Sequence, residues 1–102
     1  MSETAAAPTI ALRYSFAVWR VVIEREAAKA LDRTPTNVQR LVLRKLRELA
    51  ADPYARNNNV KKLGGRPGFR LRVGDWRIIY ELRAAELIVL VIKFGPRSSV
   101  YE

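Results

Sequence analysis

A chain of 102 residues, 49% of them apolar, is long enough to bury one modest core and too short to split into two. It has no cysteine and no histidine, which removes disulfides, thiolate chemistry, the commonest acid/base near neutral pH and the commonest metal ligand. Its formal net charge of +9 points to a polyanionic partner, either nucleic acid or an acidic protein.

Residues 1–8 are small and polar, with neither a basic segment nor an apolar stretch of the kind that directs secretion. No apolar run approaches the roughly 20 residues that a membrane helix needs. The longest, residues 87–92, is strand-sized. The expectation is a soluble, cytoplasmic protein with no membrane partner, no cofactor and no metal. Residues 1–18 read as an N-terminal extension, partly flexible, ahead of a single domain at 19–102. Within the extension Ile10, Leu12, Tyr14, Phe16 and Val18 alternate with mostly polar or small residues, which suggests extended structure, either a longer first strand or an ordered arm.

Residues 19–23, Trp-Arg-Val-Val-Ile, are β-branched and aromatic and form the first secure strand. A helix follows from Arg25 to Asp32, with Ala27, Ala28 and Leu31 on one stripe. Thr34-Pro35 then breaks and restarts the pattern, Thr34 as N-cap and Pro35 at the first helical position. In the second helix Val38, Leu41, Val42, Leu46, Leu49 and Ala50 recur at three- and four-residue spacing, opposite Arg40, Arg44 and Arg47, and Asp52-Pro53 ends it. Residues 54–68 are a polar, turn-rich connection. Three strands complete the chain, at about 69–73, 76–83 and 87–94, the last apolar on both faces and so suited to the centre of a sheet. The fold class is α+β: a small antiparallel-rich β-α-α-β-β-β sheet with an αα-hairpin on one face.

Charge is concentrated toward the C-terminus. Residues 54–102 carry ten Lys/Arg against four Asp/Glu, whereas residues 1–53 carry nine against six. Within that half, Gly74-Asp75 is the signature of a two-residue type II′ hairpin, and such a turn sets the register of its strands. Val73 then faces Trp76, Arg72 faces Arg77, Leu71 faces Ile78 and Arg70 faces Ile79. Alternation places Phe69, Leu71, Val73, Trp76, Ile78 and Tyr80 on a core face and Arg70, Arg72 and Arg77 on the other. A directly opposed Arg72–Arg77 pair costs stability, and a sequence shaped by folding alone would place Glu or Thr at one position. Solvation, or relief by Glu81, would make the pair an ordinary surface. The functional alternative is a phosphate site, since forked guanidinium donors match phosphate oxygens and stay charged at any relevant pH. Gly95-Pro96 should turn the chain and set Arg97 near the sheet's end. Tyr101 offers a stacking surface for a base or a phenol acidified by arginines. Lys61, Lys62, Arg66 and Lys93 add cations suited to RNA binding.

The run Lys62-Leu63, then Gly68-Phe69-Arg70-Leu71-Arg72-Val73-Gly74-Asp75-Trp76-Arg77-Ile78-Ile79-Tyr80-Glu81, followed by Gly95-Pro96-Arg97-Ser98-Ser99-Val100-Tyr101, resembles the RelE toxins of the RelE/ParE superfamily. These are the toxin halves of type II toxin–antitoxin pairs. The resemblance spans residues 19–101 and implies a metal-independent, ribosome-dependent mRNA endonuclease working by 2′-hydroxyl attack on the adjacent phosphate. It carries the catalytic set onto Arg70, Arg72, Arg77, Arg97 and Tyr101, and implies the ribosome, mRNA and a cognate acidic antitoxin as partners. Two departures stand out: arginines occupy hairpin positions where some members have lysine, and Gly95-Pro96-Arg97 stands where many have Gly-His-Arg. Tyr101 is then the remaining candidate for general base. A ParE-like gyrase inhibitor of the same fold and a non-enzymatic RNA- or ribosome-binding module are the alternatives.

Overall fold

The computed structural model describes residues 10–16 and 19–98. Large apolar side chains with accessibility below 2%, among them Tyr80, Ile23, Leu46 and Ile78, form the centre around which the strands and two helices of the described residues assemble. Strand β1 is Ile10–Phe16 and β2 is Trp19–Glu24. Helices α1, Arg25–Asp32, and α2, Thr36–Ala51, follow. Then come β3, Val60–Lys62; β4, Phe69–Val73; β5, Trp76–Arg83; and β6, Ile88–Pro96. The sheet order is β1-β2-β6-β5-β4-β3, with β2 and β6 parallel and every other neighbouring pair antiparallel.

The expected α+β architecture, its αα-hairpin and its central last strand are all present. Helix α1 rests on β6 and β2, and α2 rests on β2 and β4. Residues 10–16, open between strand and arm from the sequence, pair antiparallel along β2. Strand β3 is not predicted, because three residues inside a polar connection carry no readable alternation. It forms because β4 offers an open edge, and Val60, Lys61 and Lys62 pair with Leu71, Arg70 and Phe69. A short lysine-bearing edge strand also resists pairing with other chains.

The junction between the helices is built differently from the expected N-cap. The Thr34 hydroxyl donates backward to the Leu31 carbonyl at 2.7 Å, while Pro35 occupies the capping position of α2 and makes no side-chain cap. Gln39 Nε2 donates to the Thr34 carbonyl at 2.9 Å and to that of Asp32 at 3.3 Å. Side chains from both directions therefore satisfy the carbonyls that α1 leaves open at its C-terminal end. Along α2 the expected stripe is inward, with Val42, Leu46, Leu49 and Ala50 buried and Arg40, Arg44 and Arg47 exposed.

Strand β6 carries a bulge that reconciles its pattern with the sheet. Val89, Val91 and Phe94 are all buried in one core, although the step from 91 to 94 breaks a two-residue period. The pairing moves from Tyr80–Val91 to Ile79–Lys93, leaving Ile92 as the extra residue. The core face of the β4–β5 hairpin is closed by two ring pairs: Phe69 stacks on Tyr80 at 5.4 Å, and Trp76 on Phe94 at 5.1 Å. Among the described residues no helix is long and apolar enough to cross a membrane.

Two substitutions probe this packing. Gly68 enters β4 with φ +111°, and a Cβ there would lie 2.9 Å from the Tyr80 carbonyl oxygen. Gly68→Ala should therefore lower unfolding free energy by about 2 kcal/mol or more, read as a reduced denaturant midpoint at unchanged slope. The Tyr80 hydroxyl is buried with no hydrogen-bond partner among the described residues, and burial pushes its pKa from 10.0 up to about 12. Folding thus holds the proton more tightly than the unfolded chain does. The associated stability is intact below pH 10 and lost as pH rises toward 12, by about 1.4 kcal/mol per unit. Tyr80→Phe should remove that loss, and melting curves of parent and variant between pH 9 and about 12 measure it.

Candidate nucleic-acid interface

The open face of the sheet, opposite the helices, is organised by the hairpin between β4 and β5. Gly74 has φ +59°, while Asp75 does not enter the left-handed region, the combination a type II′ turn requires. The pairing is Val73–Trp76, Arg72–Arg77, Leu71–Ile78, Arg70–Ile79 and Phe69–Tyr80, as the turn predicts. Leu71, Val73, Ile78 and Tyr80 lie in the core, with Phe69 and Trp76 packed against it. The arginines occupy the other side.

Extending the pairing across neighbouring strands resolves that side into transverse rows. One row runs Lys61, Arg70, Ile79, Lys93 across β3, β4, β5 and β6; the next runs Arg72, Arg77, Gly95. Rows on one face are two residues apart, or roughly 7 Å along the strands. Ile79 is buried outside the main core, flanked in register by half-buried Arg70 and Lys93. Their aliphatic stems suit such a floor, and the Nε of Arg70 is itself buried there. Glu81, which could have relieved the opposed arginines, instead pairs with Arg83 at 3.2 Å.

The three hairpin arginines are not equivalent. Arg72 is exposed; its Nη2 donates to Asn59 Oδ1 at 3.4 Å and its backbone N–H to the Asn59 carbonyl at 2.8 Å. Asn59 is itself held by an Asx turn, its N–H donating to Asn57 Oδ1 at 2.9 Å. Arg70 is half-buried. Arg77 is only 7% exposed and folds over the turn, its Nη1 donating to the carbonyls of Gly74 at 2.9 Å and Trp76 at 3.0 Å. Register alone places it on the open face. Its side chain spends part of its donor capacity bracing the hairpin.

Gly95 and Pro96 do not turn the chain, as expected from sequence, but continue β6 opposite Arg77 and Trp76. The ladder tolerates proline at a strand's last position, where no further partner is required. The turn begins one residue later, and the Arg97 N–H donates to the Asp75 carbonyl at 2.9 Å. Arg97 therefore reaches the hairpin tip, where it lines a concavity of about 440 Å³ with Asp75, Pro96 and Ser98. Lys61, Lys62, Arg66 and Arg70 converge on a second concavity beside residues 63–68. Tyr101 lies outside the described residues.

Sequence reasoning misses two contributors here. Asn59 fixes the backbone and guanidinium of Arg72, and the Asn57-Asn58-Asn59 run is its only signal. Asp75 reads as a turn residue, yet it lines the same concavity as Arg97 and its carbonyl accepts from the Arg97 N–H. Among the described residues no group of three His, Cys, Asp or Glu is placed to hold a metal ion.

Residues 21–101 match the family model described as ParE toxin of type II toxin-antitoxin system, parDE. The chain is similar to the toxin in the crystal structure of the archaeal RelE–RelB complex from Pyrococcus horikoshii OT3, at 30% identity and TM-score 0.69, covering 81% of this chain and 99% of that one. It shares its fold with the intact E. coli RelBE toxin–antitoxin complex, at 21% identity and TM-score 0.65, over 80% of this chain and 96% of that one. The same holds for the RelBE2 complex from Mycobacterium tuberculosis, at 19% identity and TM-score 0.65, over 84% of this chain and 100% of that one. No curated protein sequence matches the chain. A family match spanning the whole of β3 to β6 and both helices, on a sheet whose open face is an arginine hairpin, makes this chain a member of the RelE/ParE superfamily of type II toxins.

Proposed function

We propose that the protein is a ribosome-dependent mRNA endonuclease in which the 2′-oxygen attacks the adjacent phosphorus and the bond to the 5′-oxygen breaks. The observation that carries this reading is the opposed Arg72–Arg77 pair, with Arg70 one row away and Arg97 brought to the same hairpin tip. Guanidiniums held in place suit a pentavalent phosphorus, because donors fixed beforehand stabilise the charge that builds on its equatorial oxygens without reorganising. Catalysis of this kind needs no metal ion, in keeping with a chain lacking histidine and cysteine. Arg72, exposed and held by Asn59, is the direct phosphate ligand. Arg77 acts partly through the hairpin it braces. Lys93, Lys61, Lys62 and Arg66 extend the contact to the RNA backbone.

Arginine cannot accept the 2′-hydroxyl proton at physiological pH. Tyr101 takes that proton or stacks on the base, and Asp75, beside Arg97, is the carboxylate next in line. The partners on this reading are mRNA in the ribosome and, by analogy with the RelB–RelE complexes, an acidic antitoxin that folds over the basic face. The site of action is the cytoplasm. The match to a ParE model favours gyrase as a second target class, which a supercoiling assay addresses directly.

Mapping mRNA 5′ ends in a translating extract should reveal codon-phased cuts, with gyrase supercoiling unaffected; blocked supercoiling without cuts would reverse the assignment. Arg72→Ala should slow single-turnover cleavage about 100-fold or more while leaving stability within about 0.5 kcal/mol. Arg77→Ala should slow cleavage and also lower stability by about 2 kcal/mol, because two charge-assisted hydrogen bonds to the turn are lost. Tyr101→Phe should cost about 100-fold in rate. If it cuts as fast as the parent, the proton role passes to Asp75, and Asp75→Asn should then carry the loss.

A further inference from the structure

Strand β1 lies outside the residues that the family model matches, which begin at Val21 inside β2. It is nonetheless tied to the domain, pairing antiparallel with β2 from Ile10–Glu24 to Phe16–Trp19. Strand β2 needs such a neighbour. Val21, Val22 and Ile23 are 0%, 3% and 1% exposed, so this strand is buried on both faces, a pattern suited to the inside of a sheet. Left outermost, it would be a bare apolar edge open to pairing with other chains.

The connection between the two strands is ill suited to a tight hairpin. With Phe16 opposite Trp19, only Ala17 and Val18 remain to reverse the chain. Two-residue reversals take positive φ at one or both positions, which glycine, asparagine or aspartate supply. Alanine does so poorly, and β-branched valine worse. The hairpin between β4 and β5 shows the contrast, since Gly74 takes φ +59° there.

The surface beside this connection is also unlike the rest. Tyr54 and Leu87, 67% and 41% exposed, are the exposed large apolar side chains among the described residues. Both adjoin the start of β2. The Tyr54 ring meets that of Trp19 edge-on at 5.9 Å, and the Leu87 carbonyl accepts from the Arg20 N–H at 2.9 Å. Leu87 is held at φ 54°, alone in positive φ among the described non-glycine residues. The nearby chain positions Asp52, Arg56 and Glu86 carry both signs, so a second +9 chain meets less repulsion here than at the arginine face. The tip of that arginine hairpin sits at the other end of β6, where Trp76 pairs with Pro96, while Arg20 pairs with Ile88.

We infer that this end of the sheet is a contact surface for a second copy of the chain, formed by exchange of β1. The strand that fits the edge of β2 is β1 itself, so one pairing serves within a chain or between two. With residues 17 and 18 extended, β1 of each copy lies along β2 of the other, and the symmetry axis passes beside Trp19. Tyr54 and Leu87 of the two copies are then brought together and covered. The exchange is independent of the target on which the arginine face acts.

The chain has no cysteine, so single thiols report the exchange. Ser15 and Arg20 are directly paired across β1 and β2. Opposed antiparallel residues lie about 4.5–5.5 Å apart at Cα, within reach of a disulfide. Full-length Ser15→Cys and Arg20→Cys variants, mixed in denaturant, refolded together at high concentration and oxidised, should give a covalent heterodimer on non-reducing electrophoresis. Neither variant alone should match that yield. Ala17→Asn with Val18→Gly supplies the turn that favours the closed hairpin and should cut the yield at least about tenfold. Tyr54→Ser should weaken association in light scattering about fivefold, and salt should strengthen it by screening two +9 chains from each other. Circular dichroism melting checks that each variant folds. The proposal is overturned if the mixture gives no heterodimer above the single-variant background, or if the Asn-Gly connection leaves the yield unchanged. It is also overturned if Ser15→Cys alone dimerises as readily as the mixture, because two β1 strands would then be meeting edge to edge without exchange.

Discussion

The type II′ turn at Gly74-Asp75 sets the register on which everything else on the sheet depends. Side chains alternate with a strict period of two, so slipping β4 against β5 by one residue would send Arg70 and Arg72 into the core and Leu71 and Val73 into water. Phe69 of β4 stacks on Tyr80 of β5 and so resists that slip directly, while Trp76 stacked on Phe94 ties β5 to β6 and the Arg77 guanidinium braces the turn through the carbonyls of Gly74 and Trp76. The turn also recruits the end of the chain, because the Asp75 carbonyl accepts from the N–H of Arg97.

Against this scaffold the open face is a deliberate violation of what a sheet prefers. Lys61–Arg70 and Arg72–Arg77 place like charges directly opposite one another, and the nearest carboxylate on β5, Glu81, is engaged with Arg83. Each pair costs a few tenths of a kcal/mol. That is small beside the burial of Leu71, Ile78 and Tyr80 on the other side, each worth about 1.5–3 kcal/mol. A sheet with one strongly apolar face can therefore carry a strained cationic face, and local conflict with the folding rules is itself a mark of function. Arg77 also folds over the turn and braces it through the carbonyls of Gly74 and Trp76.

How much of this is legible in the sequence follows from the range of each signal. The Gly-Asp turn and the alternating strands around it encode register locally, so residues 69–81 alone suffice to assign the two faces of the hairpin. The stripe along α2 is equally plain, since six apolar positions share one helical face. What stays hidden depends on partners distant in sequence. Strand β3 exists only because β4 presents an edge. The bulge at Ile92 hides inside an apolar run where every residue is compatible with burial. Thr34 could bond forward or backward, and tertiary closure of the interhelical turn chose backward. Register assigns Arg77 to a face but cannot say where a flexible side chain folds, and that is where the site differs most from expectation. Tyr101 lies outside the described residues, so its placement beside the arginines rests on the sequence alone.

Permanent cations also define what this face can and cannot do chemically. Arginine is a permanent cation, so on the nuclease reading a set built on Arg70, Arg72, Arg77 and Arg97 would hold phosphate and stabilise developing negative charge without exchanging a proton. On the nuclease reading, an incoming 2′-hydroxyl then gains most from being held in line with a phosphorus whose charge is already countered. Orientation and electrostatics together account for a large part of such a barrier. Orientation is what a lone arginine face supplies least well, since a single-stranded RNA can cross it in many poses. On the same reading, a codon already held in place by the ribosome would supply the alignment that the arginine face lacks.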